Sequence, residues 1–190
     1  MSAADGSTDS DTDQSTRDRL LDAAIDIAGE TGLQAVTYRA VAARVGMAHG
    51  LVRHHFGTRE QLLVEAFRRA ATQDSDQAGL AANSIDEFAA GLVETLNGSR
   101  RRQLLQYDET TQAVRGNLPI ENVRGLYRRY TAQVGGTLHT AGVPDPDGSV
   151  SGLVFSALDG IVLQHMIFAD DDRTSQLLEQ LREVLRRMVR

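Results

Sequence analysis

"GMAHGLVRHHFGTREQL", residues 46–62, holds three histidines and two arginines, and its single carboxylate comes near the end, at Glu60. The whole chain carries a net charge of −6, so a stretch this bare of acid calls for an explanation. Four readings compete: a metal site, a catalytic histidine pair, a surface for a polyanion, or an ordinary solvated helix. Adjacent residues on a helix point about 100° apart, so His54 and His55 cannot grip one ion from one face. His49 and His54 are five apart, which is also poor for chelation. Nucleophilic catalysis has no support either. The chain has no cysteine, no G-x-S-x-G and no phosphate loop. No metal, no cofactor and no enzymatic activity are expected.

Working outward, the acid-free region extends over residues 31–59, which contain four arginines and no carboxylate. An even spread of the 26 acids over 190 residues would put about four there. Residues 1–16 carry −4, residues 17–69 carry +2 and residues 70–190 carry −4. A carboxylate-free stretch inside an acidic chain suggests a surface that faces negative charge.

Local signals place that stretch on short helices. Thr37 stands where an N-cap belongs before "YRAVAARV", and Gly46 ends that segment. A second helix fits "AHGLVRHHF", closed by Gly57. Thr58 and Gln61 form a capping box that opens a longer helix. Two short helices around a glycine-containing turn describe a helix-turn-helix. Upstream, Ser15 and Asp18 are expected to cap a first helix whose stripe is Leu20, Leu21, Ala24, Ile25 and Ala28. Residues 1–14 read as a disordered acidic tail.

Downstream the helical pattern continues. Ser84 and Glu87 predict a helix to about Leu96, and residues 100–115 predict another. Pro119 suits the first turn of a long helix ending near Gly142. "GVPDPDGS" is a loop, and two more helices complete the chain. Asp170, Asp171 and Asp172 fit the start of the last one, where the helix dipole favours acid. No strand pattern appears. The expectation is an all-α protein of about nine helices. It has an N-terminal three-helix helix-turn-helix domain at 15–60, and a C-terminal helical domain at 61–190. The N-terminus lacks a signal peptide's basic and apolar regions. No apolar run approaches the roughly 18 residues of a membrane span. A cytoplasmic protein with no membrane partner is expected.

The surface residues then form a pattern. His49 and Arg53 share one face of the second short helix. Arg39 lies in the first turn of the helix before it and Arg59 in the first turn of the helix after it. Gly50 lets a partner's backbone approach closely. Leu51 and Val52 pack the helix inward. Such a helix suits the major groove of a duplex, with flanking helix ends on the sugar-phosphate.

Residues 17–67, with "RLLDAAIDIAGETGLQAVTYRAVAARVGMAHGLVRHHFGTREQLLVEAF", resemble the DNA-binding half of the TetR family of transcriptional regulators. The "AA…A…G" first helix, the "T…VA…VG" positioning helix, "HHF" and a Glu before Leu-Leu fall in family order. "ALDGIVLQ" near the C-terminus resembles a helix that family members use to dimerise. The resemblance implies that Thr37, Tyr38 and Arg39 touch phosphate or an edge base. It places His49, Gly50, Arg53, His54 and His55 on the recognition helix, and Arg59 on phosphate where a lysine is usual. Arg53 stands in place of a common tyrosine, and Ala48 in place of a common capping serine or threonine. It also implies that residues 61–190 are a ligand-binding and dimerisation domain, and that the chain is a homodimer on a pseudo-palindromic double-stranded DNA operator, most simply a repressor released by a small-molecule effector. Tyr107, Thr111, Tyr127, Phe155, Gln164, His165 and Met166 would line the effector pocket. Leu153, Ala157 and Ile161 on one helix, with Leu181, Leu185 and Met188 on the other, would form the dimer contact. Two alternatives stay open: a small-molecule-binding or enzymatic helical dimer with a vestigial helix-turn-helix, and a module that recruits an acidic protein.

Overall fold

The computed structural model describes residues 7–189. Nine α-helices and one short 3-10 turn make up the described residues, with no strand among them. In chain order they are α1 (Ser7–Thr31), the 3-10 turn (Leu33–Ala35), α2 (Tyr38–Val45), α3 (His49–Phe56), α4 (Arg59–Ala78), α5 (Leu92–Gly98), α6 (Arg100–Val114), α7 (Ile120–Thr140), α8 (Ser149–Phe168) and α9 (Asp171–Met188). The chain divides into two compact units: Met1–Ala70 with Arg101–Leu118, and Ala71–Arg100 with Pro119–Arg190.

The first unit has one apolar core. Leu20, Leu21, Ala24, Ile25 and Ala28 of α1, the stripe expected from the sequence, are buried in it. They meet Val41 and Ala42 of α2, Val52 and Phe56 of α3, Leu62 and Leu63 of α4, and Leu105 of α6. Where α6 starts, it presses on α1. A Cβ on Gly29 would lie 2.5 Å from Arg101 Cα, so only glycine fits at that crossing.

One boundary differs from expectation at the start of α1. The helix begins at Ser7, so residues 7–14 are not a disordered tail, and Ser15 lies inside the helix instead of capping it. Gln14 Nε2 donates to Asp18 Oδ1 at 3.1 Å one turn on, and Asp13 reaches toward His55 of α3. These contacts extend a segment whose composition reads as unstructured. Residues 1–6 of the expected tail lie outside the described residues.

The second unit corrects another. Ser84 Oγ does accept from Glu87 N at 3.3 Å, but residues 85–91 form turns and α5 starts only at Leu92. Ala89 takes a left-handed φ of 54° and its N–H donates to Gly79 O at 2.9 Å. Gly91 sits so close to the Gln77 carbonyl that no side chain fits there. Backbone-to-backbone packing against the end of α4 overrides the helical signal. In the same unit Thr137 of α7 donates to Leu80 O at 2.9 Å and accepts from Ala82 N at 2.8 Å.

The helix α8 is long and apolar enough to cross a membrane by length and composition, with a mean hydropathy of 1.5 over its best window. It does so on average hydropathy and without the uninterrupted apolar run whose absence the sequence shows. Its serines, glycines and Asp159 break the apolar run without lowering the average below that of a span. Val154, Phe155, Leu158 and Ile161 are buried within the unit, where α8 packs against α5, α7 and α9.

Candidate nucleic-acid interface

The short helices form as their end signals dictate. Thr37 caps α2, its hydroxyl accepting from Ala40 N at 3.1 Å. Gly46 closes α2 in the left-handed region at φ 71°, and Met47 N donates back to Ala42 O at 2.9 Å. Ala48 begins α3 with no side-chain cap, as its methyl group requires. Thr58 Oγ1 accepts from Gln61 N at 3.1 Å. The reciprocal half of that capping box is missing, because the Gln61 side chain turns to Glu65 Oε1 at 2.9 Å.

The outer face of α3 carries His49, Gly50, Arg53 and His54, all exposed. Thr37 and Arg39 are exposed beside it on the α2 end. A Cβ on Gly50 would meet nothing within 4 Å, so the fold itself does not demand glycine there. Tyr38, His49, Gly50, Arg53, Gly57, Thr58, Arg59 and one acid, Glu60, line one shallow depression.

Two of the expected contact residues also hold this surface together. Tyr38 donates its hydroxyl hydrogen to Gly57 O at 2.8 Å, tying the start of α2 to the end of α3. Arg59 Nε donates to Val36 O at 2.7 Å and Nη2 to Leu33 O at 2.5 Å, fixing the chain that leads into α2. The sequence suggested phosphate contacts for both. Their main donors instead serve the chain's own carbonyls, because α4 starts directly behind the 3-10 turn.

His55 is a clear correction. Its side chain is only 4% exposed and turns toward α1, with Nδ1 3.6 Å from Asp13 Oδ1. Its Nε2 is buried without a hydrogen-bond partner among the described residues. It does not share the exposed outer face that carries His54, one residue earlier and about 100° round the helix.

Charge completes the arrangement. Asp18, Asp22, Asp26 and Glu30 of α1 pair with arginines. Arg69 reaches Asp22 at 2.7 Å and Asp18 at 3.1 Å, and Arg101 reaches Asp26 at 3.1 Å. Arg44 reaches Glu30 at 2.7 Å, and that hydrogen bond holds the Glu30 carboxyl below its usual range. Arg17 pairs with Glu65 and lies over the Phe56 ring at 5.1 Å. Arg39 and Arg53, by contrast, make no hydrogen bond or ion pair among the described residues. These acids of α1 are paired in place, whereas Arg39 and Arg53 stand unpaired among the described residues on α2 and α3.

The residues expected around an effector are less uniform. Phe155 is buried in an aromatic cluster, 5.2 Å edge-on from Tyr127 and 5.4 Å from Tyr130. His165 is a core residue. Its Nδ1 lies 2.9 Å from Thr174 Oγ1, whose own hydrogen goes to Asp170 O, so the ring donates from Nδ1. Gln164 is taken by Arg173, and Met166 is half-buried with its carbonyl accepting from Arg100 at 3.3 Å. Thr111 is exposed and bonds back to Tyr107 O at 2.8 Å; Tyr107 is half-buried. Tyr127 also lines a cleft of about 570 Å³ between α7 and the start of α8, with Arg128, Thr131, His139 and Ser151. The buried residue that sequence reasoning missed is Glu109 of α6, 2% exposed.

A family model described as "Tetracyclin repressor-like, C-terminal domain" matches residues 83–190, more than half of the chain. The chain belongs to the TetR family. A second model, "Bacterial regulatory proteins, tetR family", matches residues 20–66, which hold α2 and α3. Among curated relatives, the HTH-type transcriptional repressor KstR of Mycolicibacterium smegmatis is 33% identical over 107 residues, 55% of this chain and 52% of the relative. The chain thus spans about half the length of that relative. Among solved structures, a TetR-family member from Streptomyces coelicolor (SCO1917) is 29% identical with a TM-score of 0.68, covering 92% of this chain and 98% of that one. The multidrug binding protein EbrR, complexed with imidazole, is 28% identical with a TM-score of 0.62, covering 93% and 90%.

In this TetR-family chain the last two helices expose an apolar face. On α8 it comprises Leu153, Leu163, Ile167 and Phe168, and on α9 Val184, with Leu153 the most open at 71%. Ala157, Leu181 and Met188 are half-buried along the same pair. Two residues expected at a dimer contact are not available to a partner. Ile161 and Leu185 are 7% and 1% exposed and fill the unit's own core. The expected stripe is rotated, since the inner positions of α8 and α9 close on each other.

Proposed function

We propose that this chain is a DNA-binding transcriptional repressor that sits as a homodimer on a pseudo-palindromic operator and leaves it when a small molecule binds. It acts in the cytoplasm and is not an enzyme. One observation carries the reading: Arg39 and Arg53, unpaired among the described residues, stand with His49, Gly50 and His54 on two short helices that carry no acid of their own. Arg53 offers guanine a bidentate donor. Thr37 and Arg39 contact phosphate, and Tyr38 and Arg59 hold the surface in register. Residues 15–60 form the DNA-binding domain and residues 61–190 the effector and dimerisation domain. Leu153, Leu163, Ile167 and Val184 form the centre of the dimer contact, by their exposure. The repressor KstR and the ligand-bound EbrR support a repressor that answers to a small molecule. An effector that releases DNA must favour the non-binding conformation by a few kcal/mol.

The test is selection of bound fragments from the source genome, then affinity against salt. Several phosphate contacts predict a steep fall in affinity as salt rises. Arg53→Ala and Arg39→Ala each weaken the specific site by about 1–3 kcal/mol. Changes below about 0.3 kcal/mol in both variants would remove this face from the reading.

A further inference from the structure

The outer turns of α7 hold an excess of cations inside an acidic stretch of chain. Residues 70–190 carry −4, yet residues 121–133 contain Arg124, Arg128 and Arg129 against the single acid Glu121. That acid is shared. Arg124 holds one of its oxygens at 2.5 Å, and Arg128 lies 3.8 Å from the other. The Arg128 side chain is 70% exposed, so most of its charge is left for another partner.

Arg128 stands at one end of the cleft of about 570 Å³ between α7 and the start of α8. Thr131, one turn on, adds a hydroxyl to the same wall, and Ala132, Gly135 and Val143 give the cleft an apolar stretch. His139 lies at the far end, eleven residues and about 16 Å along the helix. Tyr127 is a fixed wall. Its hydroxyl donates to Asp159 Oδ2 at 3.2 Å, and its ring stands edge-on to Phe155 at 5.2 Å. The acid that lines the cleft, Asp145, is occupied. Its Oδ1 accepts from Val150 N and its Oδ2 from Ser151 N, both at 3.0 Å, and the Ser151 hydroxyl also donates to it. The Ser151 hydroxyl and the two N–H groups hold that carboxyl below its usual range, while the start of α8 offsets its charge. By contrast, the side chains expected around an effector are largely spent inside the unit. Phe155 and His165 are buried, and Gln164 is taken by Arg173.

We propose that this cleft is where the effector binds, and that the effector is an organic anion, a carboxylate on an apolar body. This rests on the small-molecule response proposed above and gives it a place and a chemistry. The carboxylate meets Arg128 and Thr131, and the body lies along Ala132, Gly135 and Val143. A cation would face Arg128 and find the oxygens of Asp145 already engaged. A neutral molecule would gain nothing from Arg128. Ser151 on the cleft and Leu153 on the exposed apolar face are two residues apart, about 200° round α8, so a ligand can enter while a second copy covers that face.

The experiment uses the full chain in a calorimeter, with decanoate and naphthoate as anionic probes below their micelle concentrations. Decanol and decyltrimethylammonium carry the tail of decanoate with no charge and with the opposite charge. At least one anion should bind wild-type protein more tightly than either comparator. Arg128→Gln should weaken that anion about fivefold. Ala132→Trp fills the apolar stretch and should abolish its binding. Arg129→Gln removes the neighbouring arginine outside the cleft and should change the affinity less than twofold. All three positions are exposed, so the variants keep the fold. No binding by either anion, equal binding by Arg128→Gln, an equal loss in Arg129→Gln, or tighter binding of a comparator would overturn the proposal. Retention of selected DNA fragments on the same samples separates the two readings. The bound anion should release them from wild type and leave them on Ala132→Trp. Fragments held while the anion saturates the protein sink only this inference. Failure of the ligand-free protein to hold any fragment sinks the function on which it rests.

Discussion

Replacing Glu109 by glutamine should stabilise the protein, and by more as the pH rises. In the folded chain the carboxyl titrates near 8 against an ordinary value of 4.5. Between those limits the unfolded chain has lost the proton and the folded chain has kept it. The native state binds one more proton, so stability falls by about 1.4 kcal/mol per pH unit across that window. The accumulated loss is about 3 kcal/mol at pH 7, and it stops growing above pH 8, where both states are ionised. Glutamine has no proton to hold and removes the slope. The assay is urea unfolding of both proteins at pH 5, 6, 7 and 8 at one fixed protomer concentration, since dimer formation would otherwise shift the midpoint. The difference between variant and wild type should widen steadily up to pH 8. A difference constant within about 0.5 kcal/mol over that range would show a carboxyl in contact with water, and the burial argument would fail.

Gly29→Ala drives a methyl group into the Arg101 backbone at 2.5 Å and should cost about 1–3 kcal/mol of stability by denaturant titration; no loss would mean that α1 and α6 do not cross so closely. Tyr38→Phe removes the hydroxyl bond to Gly57 O and should cost about 1 kcal/mol, with hydrogen exchange quickening at the end of α3. If exchange there is unaltered, Tyr38 does not tie the two helices. Leu153→Asp puts a charge on the most open apolar position of α8 and should yield monomers in sedimentation equilibrium. A persistent dimer would move the interface elsewhere.

The parts of this fold that could be read from the sequence are those set by neighbours in the chain. Thr37, Gly46 and Gly57 mark the ends of α2 and α3 through local hydrogen bonds and backbone angles. The pattern of Leu20, Leu21, Ala24, Ile25 and Ala28 identifies the buried side of α1 directly. What stayed hidden depends on distant partners. Residues 85–91 carry a sound capping signal, and only the Gln77 carbonyl against Gly91 prevents the helix. His54 and His55 look alike as letters, and a turn of about 100° sends one outward and the other toward Asp13. Glu109 escaped notice because glutamate on a helix normally marks the wet side. Arg59 was read as a free cation, since carbonyls 23 and 26 residues away leave no trace in composition.

The bond from Tyr38 to Gly57, with the Arg59 grip on Leu33 and Val36, has a mechanical corollary. Together they fasten the start of α2, the end of α3 and the start of α4 to one another and to the 3-10 turn. If the proposed release from DNA holds, the signal must move α2 and α3 together, because the bond from Tyr38 to Gly57 ties one to the other.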